Sequence, residues 1–295
     1  MFDYLNIANI VMNILNFLFF NIISSIDYSI YSSLDKIVFI DNNILNSPYF
    51  EKIFGTSSTS GILLVANALL ISFVLFYSIK LLLSNFAVTQ AEHPLSFLFR
   101  VIFFGICMNC SFFICEQIIN LNSSLCFGIR EVGKDIFDTD ICFANLVNSL
   151  NIIIYSEQNS LNLFSIDGII KSLISFGFFN LFFSYSVRYI LIKIFILISP
   201  FAILSLSTKS SSNFCKIWFK CFMSLLFIQD FVAITLLLMF SLPFKSNDLI
   251  SKFLFVACIY VLTKSNSYVR EFLGGISTEV QNSFNSIKSN FNSYK

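Results

Sequence analysis

Charge is what this chain lacks most: Asp, Glu, Lys and Arg make up 12% of its 295 residues, against about 25% in an average soluble domain. Histidine is nearly absent too, and a lone His93 cannot build a metal cluster. There is no GxxxxGK[ST] phosphate loop, no HExxH and no GxSxG, so ATP hydrolysis and metalloprotease chemistry have no support. A net charge of +1 provides no global field to recruit nucleic acid or anionic lipid, so any electrostatic role depends on where the charges sit. Glycine (9) and proline (4) are few; with 39 Phe and heavy Ile and Asn use, this is the bias of an AT-rich coding sequence, and no chemistry is read into it. The start, Met1-Phe2-Asp3-Tyr4, lacks a basic n-region, and no small-residue cleavage site follows, so no cleavage is expected.

Eight cysteines do not amount to a disulfide framework, because four of them fall inside apolar runs. Cys107-Met108-Asn109-Cys110 has the spacing of a redox or zinc pair, but it lies within a hydrophobic stretch with no second pair, and reads as small apolar filler. Cys126 and Cys142 can pair only if the side they occupy is oxidising.

What is abundant is hydrocarbon: 56% hydrophobic and 17% aromatic residues and a mean hydropathy of +0.80. About 20 apolar residues cross a bilayer core, which makes the expected fold all-α and polytopic, with about five transmembrane spans. Residues 1–60 are expected to hold an amphipathic helix with an amide stripe (Asn6, Asn9, Asn13, Asn16) and then a solvent-facing outer segment. Residues 61–119 contain two spans, Gly61 to Ile79 and Leu95 to Cys115, and residues 120–168 a polar outer connection. Residues 169–264 form the transmembrane core. There, Ile169 to Leu206 would measure roughly 57 Å as one helix, ended or kinked by Pro200. Cys221 to Phe244 and the short Leu249 to Thr263 complete the set. Residues 265–295 suit a cytosolic amphipathic tail.

Orientation follows Lys and Arg in short loops. With the amino terminus outside and the carboxyl terminus inside, the inner flank holds Lys80, Arg100, Arg188, Lys193, Lys209, Lys216, Lys220, Lys264, Arg270, Lys288 and Lys295, the majority of the 18 basic residues. Two crossings by Ile169 to Leu206 would put Lys209, Lys216 and Lys220 outside. The stretch after Arg188 is therefore either a cytosolic extension or a re-entrant segment.

The candidate path or subunit-contact residues are Asn180, Ser184, Arg188, Lys193, Pro200, Gln229 and Asp230. Ser172, Ser175, Asn180, Ser184 and Arg188 follow helical spacing and give one polar face ending in a cation. That face either lines an aqueous path, meets a neighbouring subunit, or forms interhelical hydrogen bonds. Asp230, ten residues into an apolar run, costs roughly 2.5–3.5 kcal/mol on insertion scales and demands a partner such as Arg188 or Lys193, a wet cavity, or a place near the interface. A basic cytosolic loop carries Lys209, Lys216, Trp218 and Lys220.

Arg188-Tyr189, the run into Ile198-Ser199-Pro200-Phe201-Ala202, then Thr208, Phe214, Trp218-Phe219 and Gln229, resembles the TrbL/VirB-type polytopic inner-membrane subunits of conjugation and type IV secretion machines. The resemblance implies a non-catalytic, cofactor-free channel or scaffold subunit in the bacterial cytoplasmic membrane. Such a subunit would be oligomeric, and would pass DNA with its relaxase, or protein, from cytosolic ATPases to inner-membrane and outer channel components. The competing class is a secondary transporter or permease, which commonly shows two related halves; none are visible here.

Overall fold

The computed structural model describes residues 11–18, 21, 33–41, 44–45, 47–55, 61–84, 93–147, 166–207, 211–242 and 249–273, and among them every regular element is helical. In chain order they are α1 (Pro48–Phe54), α2 (Ile62–Ser84), α3 (Pro94–Asn109), α4 (Ser111–Phe137), α5 (Ile166–Leu204), α6 (Ser212–Ser241) and α7 (Leu249–Leu273). Residues 33–38 and 143–147 add short helical turns. Four helices, α2, α4, α5 and α6, are long and apolar enough to cross a bilayer, so the chain is a multi-pass helical membrane protein. The surface agrees: on α2, Leu64, Val65, Ile71, Leu75, Phe76 and Leu82 are each more than half exposed. A helix that is apolar all round and uncovered needs hydrocarbon around it.

α2 and α3 pair as an antiparallel hairpin. Asn67 and Asn109 exchange amide hydrogen bonds at 3.2 Å, the Tyr77 and Phe97 rings stack with centroids 3.6 Å apart, and Gly105 leaves room for Leu70, which a Cβ would meet at 2.8 Å. The remaining helices form a bundle. α4 runs alongside α6 in the same direction, from Asn122 beside Gln229 to Phe137 beside Phe240. α5 and α6 are antiparallel, and Trp218 Nε1 donates to the Phe195 carbonyl at 2.9 Å between them. α7 lies parallel to α5, with Ile259 against Gly177 and Asn266 bonded to Ser184.

The expected second span, Leu95 to Cys115, is divided at Cys110, and its second part continues as a 27-residue helix well into the stretch read as a polar connection. Glu116, Asn120 and Arg130 hid an apolar periodicity whose buried side is Cys115, Ile119, Asn122 and Cys126. The outer segment also differs from expectation. Leu34, Val38, Ile40, Ile44, Leu45, Phe50 and Phe54 are all buried, 7% exposed or less, so part of the chain between residues 33 and 54 is wedged into the bundle rather than solvated. Lys216, Trp218 and Lys220 lie on the first turns of α6 and not in a loop; Lys209 is outside the described residues. The stretch expected as a short last span is a helix that extends to Leu273, with Ser265, Asn266 and Val269 buried, and it is not one of the four apolar enough to cross. Asn13 and Asn16 fall on a helical stretch, residues 11–18, while Asn6, Asn9 and the tail beyond Leu273 lie outside the described residues.

Pro200 sits inside α5 without ending it. Proline cannot donate to the carbonyl four residues back, and the Ser199 hydroxyl takes that place, donating to Ile196 O at 2.7 Å.

Two glycines of α4 test this packing. A Cβ on Gly133 would run into the Ile141 side chain and meet Leu237 Cδ1 at 2.8 Å, whereas one on Gly128 would meet nothing within 4 Å. Gly133→Ala is expected to cost about 1–3 kcal/mol through overpacking, read as a lower thermal midpoint in detergent. Gly128→Ala should raise stability by up to about 1 kcal/mol through helix propensity.

Candidate functional site

Arg188 is fully buried between the spanning helices. Its guanidinium is met on every side by acceptors: Nε donates to Leu225 O at 2.7 Å, Nη1 to Val38 O at 2.9 Å, and Nη2 to Leu226 O at 3.5 Å and Gln229 Oε1 at 3.4 Å. The rigid fork of five N–H groups suits this work better than a lysine ammonium would. Val38 closes the short helical turn 33–38, and the last carbonyls of a helix have no partner within it and carry partial negative charge. Arg188 thus caps a helix end that the wedge would otherwise leave bare among apolar helices.

Gln229 completes the junction from the other side. Its Oε1 accepts the Ile40 N–H at 3.1 Å, and its Nε2 donates to Asn122 Oδ1 at 2.9 Å. Asn122 Nδ2 in turn donates to Asp230 Oδ2. The four side chains form one chain of hydrogen bonds, Arg188 to Gln229 to Asn122 to Asp230, drawn from α4, α5 and α6. Asp230 thus answers the buried cation through two neutral amides. Among the described residues, Asp230 Oδ1 has no hydrogen-bond partner. Cys126 Sγ lies 3.8 Å from the Gln229 carbonyl and is a free thiol, as is Cys142, whose sulfur accepts the Asn145 N–H. The Cys126 to Cys142 bridge is therefore not formed; the first faces the network and the second a separate turn.

Other contacts fix the wedge in place. Asp35 accepts the Phe143 and Ala144 N–H groups at 2.9 and 3.3 Å, capping the helical turn 143–147. Arg130 lies 4.5 Å above the Phe39 ring, and Lys193 sits over Phe50 and Tyr189 at 5.6 and 5.0 Å. Lys193 is thus engaged with aromatic rings, and Asp230 with Asn122.

The polar face expected on α5 splits in two. Ser184 and Arg188 point into the bundle, where Ser184 Oγ accepts from Asn266 Nδ2 at 2.6 Å and the neighbouring Tyr185 hydroxyl bonds Ser265 at 3.0 Å. Asn180 is exposed and opens onto a groove of about 270 Å³ between α5 and α7. Lys216 and Lys220 are exposed on α6, while Trp218 is buried against Phe195 and Phe222. Among the described residues no three His, Cys, Asp or Glu side chains gather as a metal-ligand set. Sequence reasoning missed Asn122 and the backbone of Val38 and Ile40. Asn122 recurs at helical spacing with Cys115, Ile119 and Cys126, the one signal that could have revealed it.

No family model, curated protein or solved structure matches this chain.

Arg188→Met strands the Val38 carbonyl and leaves Asp230 without its counter-charge. The expected cost is about 3–5 kcal/mol, as for breaking other buried charge arrangements, read as a lower thermal midpoint in detergent. Gln229→Leu should cost about 1–3 kcal/mol for the amide and backbone groups it leaves unsatisfied. Both should speed proteolysis between residues 41 and 61, whereas Lys216→Gln should leave it unchanged.

Proposed function

We propose that this chain is a membrane-embedded channel or scaffold subunit of a type IV secretion or conjugation machine in a bacterial cytoplasmic membrane. It passes DNA with bound protein, or protein alone, and performs no hydrolysis of its own. One observation carries this reading: the residues of the TrbL/VirB-like pattern, though spread along the sequence, hold one another. Arg188 bonds Gln229 across 41 positions, Trp218 bonds Phe195 in the run that leads to Pro200, and Ser199 repairs the backbone at Pro200. A pattern that arose by chance in apolar helices has no reason to converge on the seam between two of them. Asp230 Oδ1 apart, the network's groups are engaged with one another or with backbone carbonyls, which suits a pinned scaffold. Its partners would be other copies of this chain, ATPases that meet Lys216 and Lys220, and inner-membrane and outer channel components.

A permease is the second reading, and the wedge favours it, since interrupted helices ending among spanning helices are common at transporter sites. Orientation also has two readings. Five crossings with the amino terminus outside gather most basic residues within. However, Ala66 and Met108 cluster with Ile203 and Leu204, which puts the start of α2 and the end of α3 beside the carboxyl end of α5, the end that leads on to Lys216 and Lys220 of α6. Six crossings, with the chain turning back at Cys110, satisfy that contact.

A deletion strain should lose plasmid or effector transfer and keep solute uptake. Transfer should stay lost with Arg188→Leu, and should fall with charge reversal at Lys209, Lys216 and Lys220. Undiminished transfer with loss of uptake of one solute would favour the permease. Reporter fusions after Ser58 and at Lys209 should fall on opposite faces for five crossings and on the same face for six.

A further inference from the structure

The wedge does not stay at one depth. At one end Asp35 holds the turn 143–147, whose Phe143 packs on Phe178 of α5 at 6.0 Å, and Arg130 of α4 covers Phe39. In the middle Val38 and Ile40 meet Arg188 and Gln229. At the other end Phe50 lies under Lys193 of α5, and Phe54 packs edge-on against Phe112 of α4 at 5.0 Å. α4 and α5 run in opposite directions, and both record the same course, from Arg130 to Phe112 on the first and from Phe178 to Lys193 on the second. These are roughly 27 and 22 Å of helix, against about 30 Å of hydrocarbon in a bilayer.

The local structure fits that reach. The turn 33–38 and α1 are helical, whereas residues 39–41 between them are not. Phe39 to Phe54 would cover only roughly 22 Å as unbroken helix, and the non-helical residues supply the additional length. Backbone of this kind is tolerated at membrane depth only where protein buries it or water reaches it. Here the Val38 carbonyl and the Ile40 N–H are met by buried side chains of α5 and α6, so protein does the burying. Exposed lysines mark the two ends, Lys36 and Lys52, and Asp41 between them is engaged within the protein.

We propose that the chain between residues 33 and 54 crosses the membrane as a discontinuous helix and seals the space between α4, α5 and α6. Arg188 and Gln229 are its positioning residues: each holds main chain, so the hold fixes depth whatever side chains the segment carries. The chain then enters at the face where α4 ends and leaves at the face where α4 begins, which adds a crossing before α2. A water-filled passage therefore does not run through the centre of a single copy. The inference needs a membrane protein but neither the secretion nor the permease reading, and its test measures no transport.

The test is modification of the full chain by a membrane-impermeant maleimide in right-side-out and in inverted membrane vesicles, with each modified cysteine located by mass spectrometry so that native thiols do not interfere. Lys36→Cys is expected to react from the same face as Lys134→Cys, near the end of α4. Lys52→Cys should react from the opposite face, together with Lys216→Cys on the first turns of α6. Reaction of Lys36→Cys and Lys52→Cys from one face, or protection of either from both, would overturn the crossing. Should Lys52→Cys not be recovered folded, Tyr49→Cys, at a position 77% exposed, takes its place. The seal is read at the native Cys126, 3% exposed and beside the Gln229 carbonyl. In the wild type it should resist the reagent from either face, and modification as fast as that of Lys36→Cys would overturn the seal. Gln229→Leu, which releases the Ile40 N–H, should speed modification of Cys126 about tenfold, equivalent to about 1.4 kcal/mol; an unchanged rate would overturn the positioning role.

Discussion

A guanidinium withdrawn completely from solvent must find acceptors for its donors or leave the interior, and the rest of this structure is arranged around that requirement. Leaving several charged N–H groups unmet would cost more than most single contacts in a protein contribute. Arg188 is therefore compatible with one arrangement of its surroundings. The carbonyls of Leu225 and Leu226 fix α6 in register with α5, Val38 fixes the wedge, and Gln229 ties both to Asn122 on α4. Apolar helices in lipid have no hydrophobic reason to choose one face over another, so directional bonds of this kind supply the specificity that burial supplies in water.

The class of fold was legible because composition and run length are properties of single segments. Gly61 to Ile79 and the long run from Ile169 needed nothing beyond hydropathy, and both are helices of span length. Arg188, Gln229 and Asp230 were legible as exceptions, each being costly where it stands. Their partners were not, because a partner is defined by three-dimensional neighbourhood. Asn122 resembled its polar neighbours in a stretch with Glu116 and Arg130, and the wedge resembled a solvated segment because Asp35, Asp41, Glu51 and Pro48 are scattered among Leu34, Val38 and Phe54 and break up any apolar run of span length. The charges lie at the edges of the wedge, where Asp35 caps another turn, while the hydrocarbon is buried. Trp218 could be picked out as the only tryptophan; that its N–H reaches a backbone carbonyl on the preceding helix was not visible in the sequence.

Two kinds of polar feature coexist among these helices. In one, the groups are nearly all matched internally and the outcome is rigidity. In the other, on the outer side of α5, Asn180 stands exposed at the surface. Neighbouring positions of α5 serve both: Arg188 and Ser184 turn inward, and Asn180, one helical turn before Ser184, turns outward. A single stripe in the sequence therefore divides between holding the bundle and presenting a surface, because a stripe broader than one contact meets both the core and its margin.

The wedge precedes in sequence everything that holds it. Val38 lies 150 positions ahead of Arg188, and Ile40 lies 189 ahead of Gln229. At ordinary synthesis speeds the ribosome needs roughly 10–40 s to make the residues in between. During that interval the early segment has emerged and the groups that will receive it do not yet exist, so its final position is among the last to be taken up. Assembly of this bundle therefore closes from its carboxyl half back onto its beginning, and a nascent chain halted before α6 lacks the Gln229 bond that holds the wedge at Ile40.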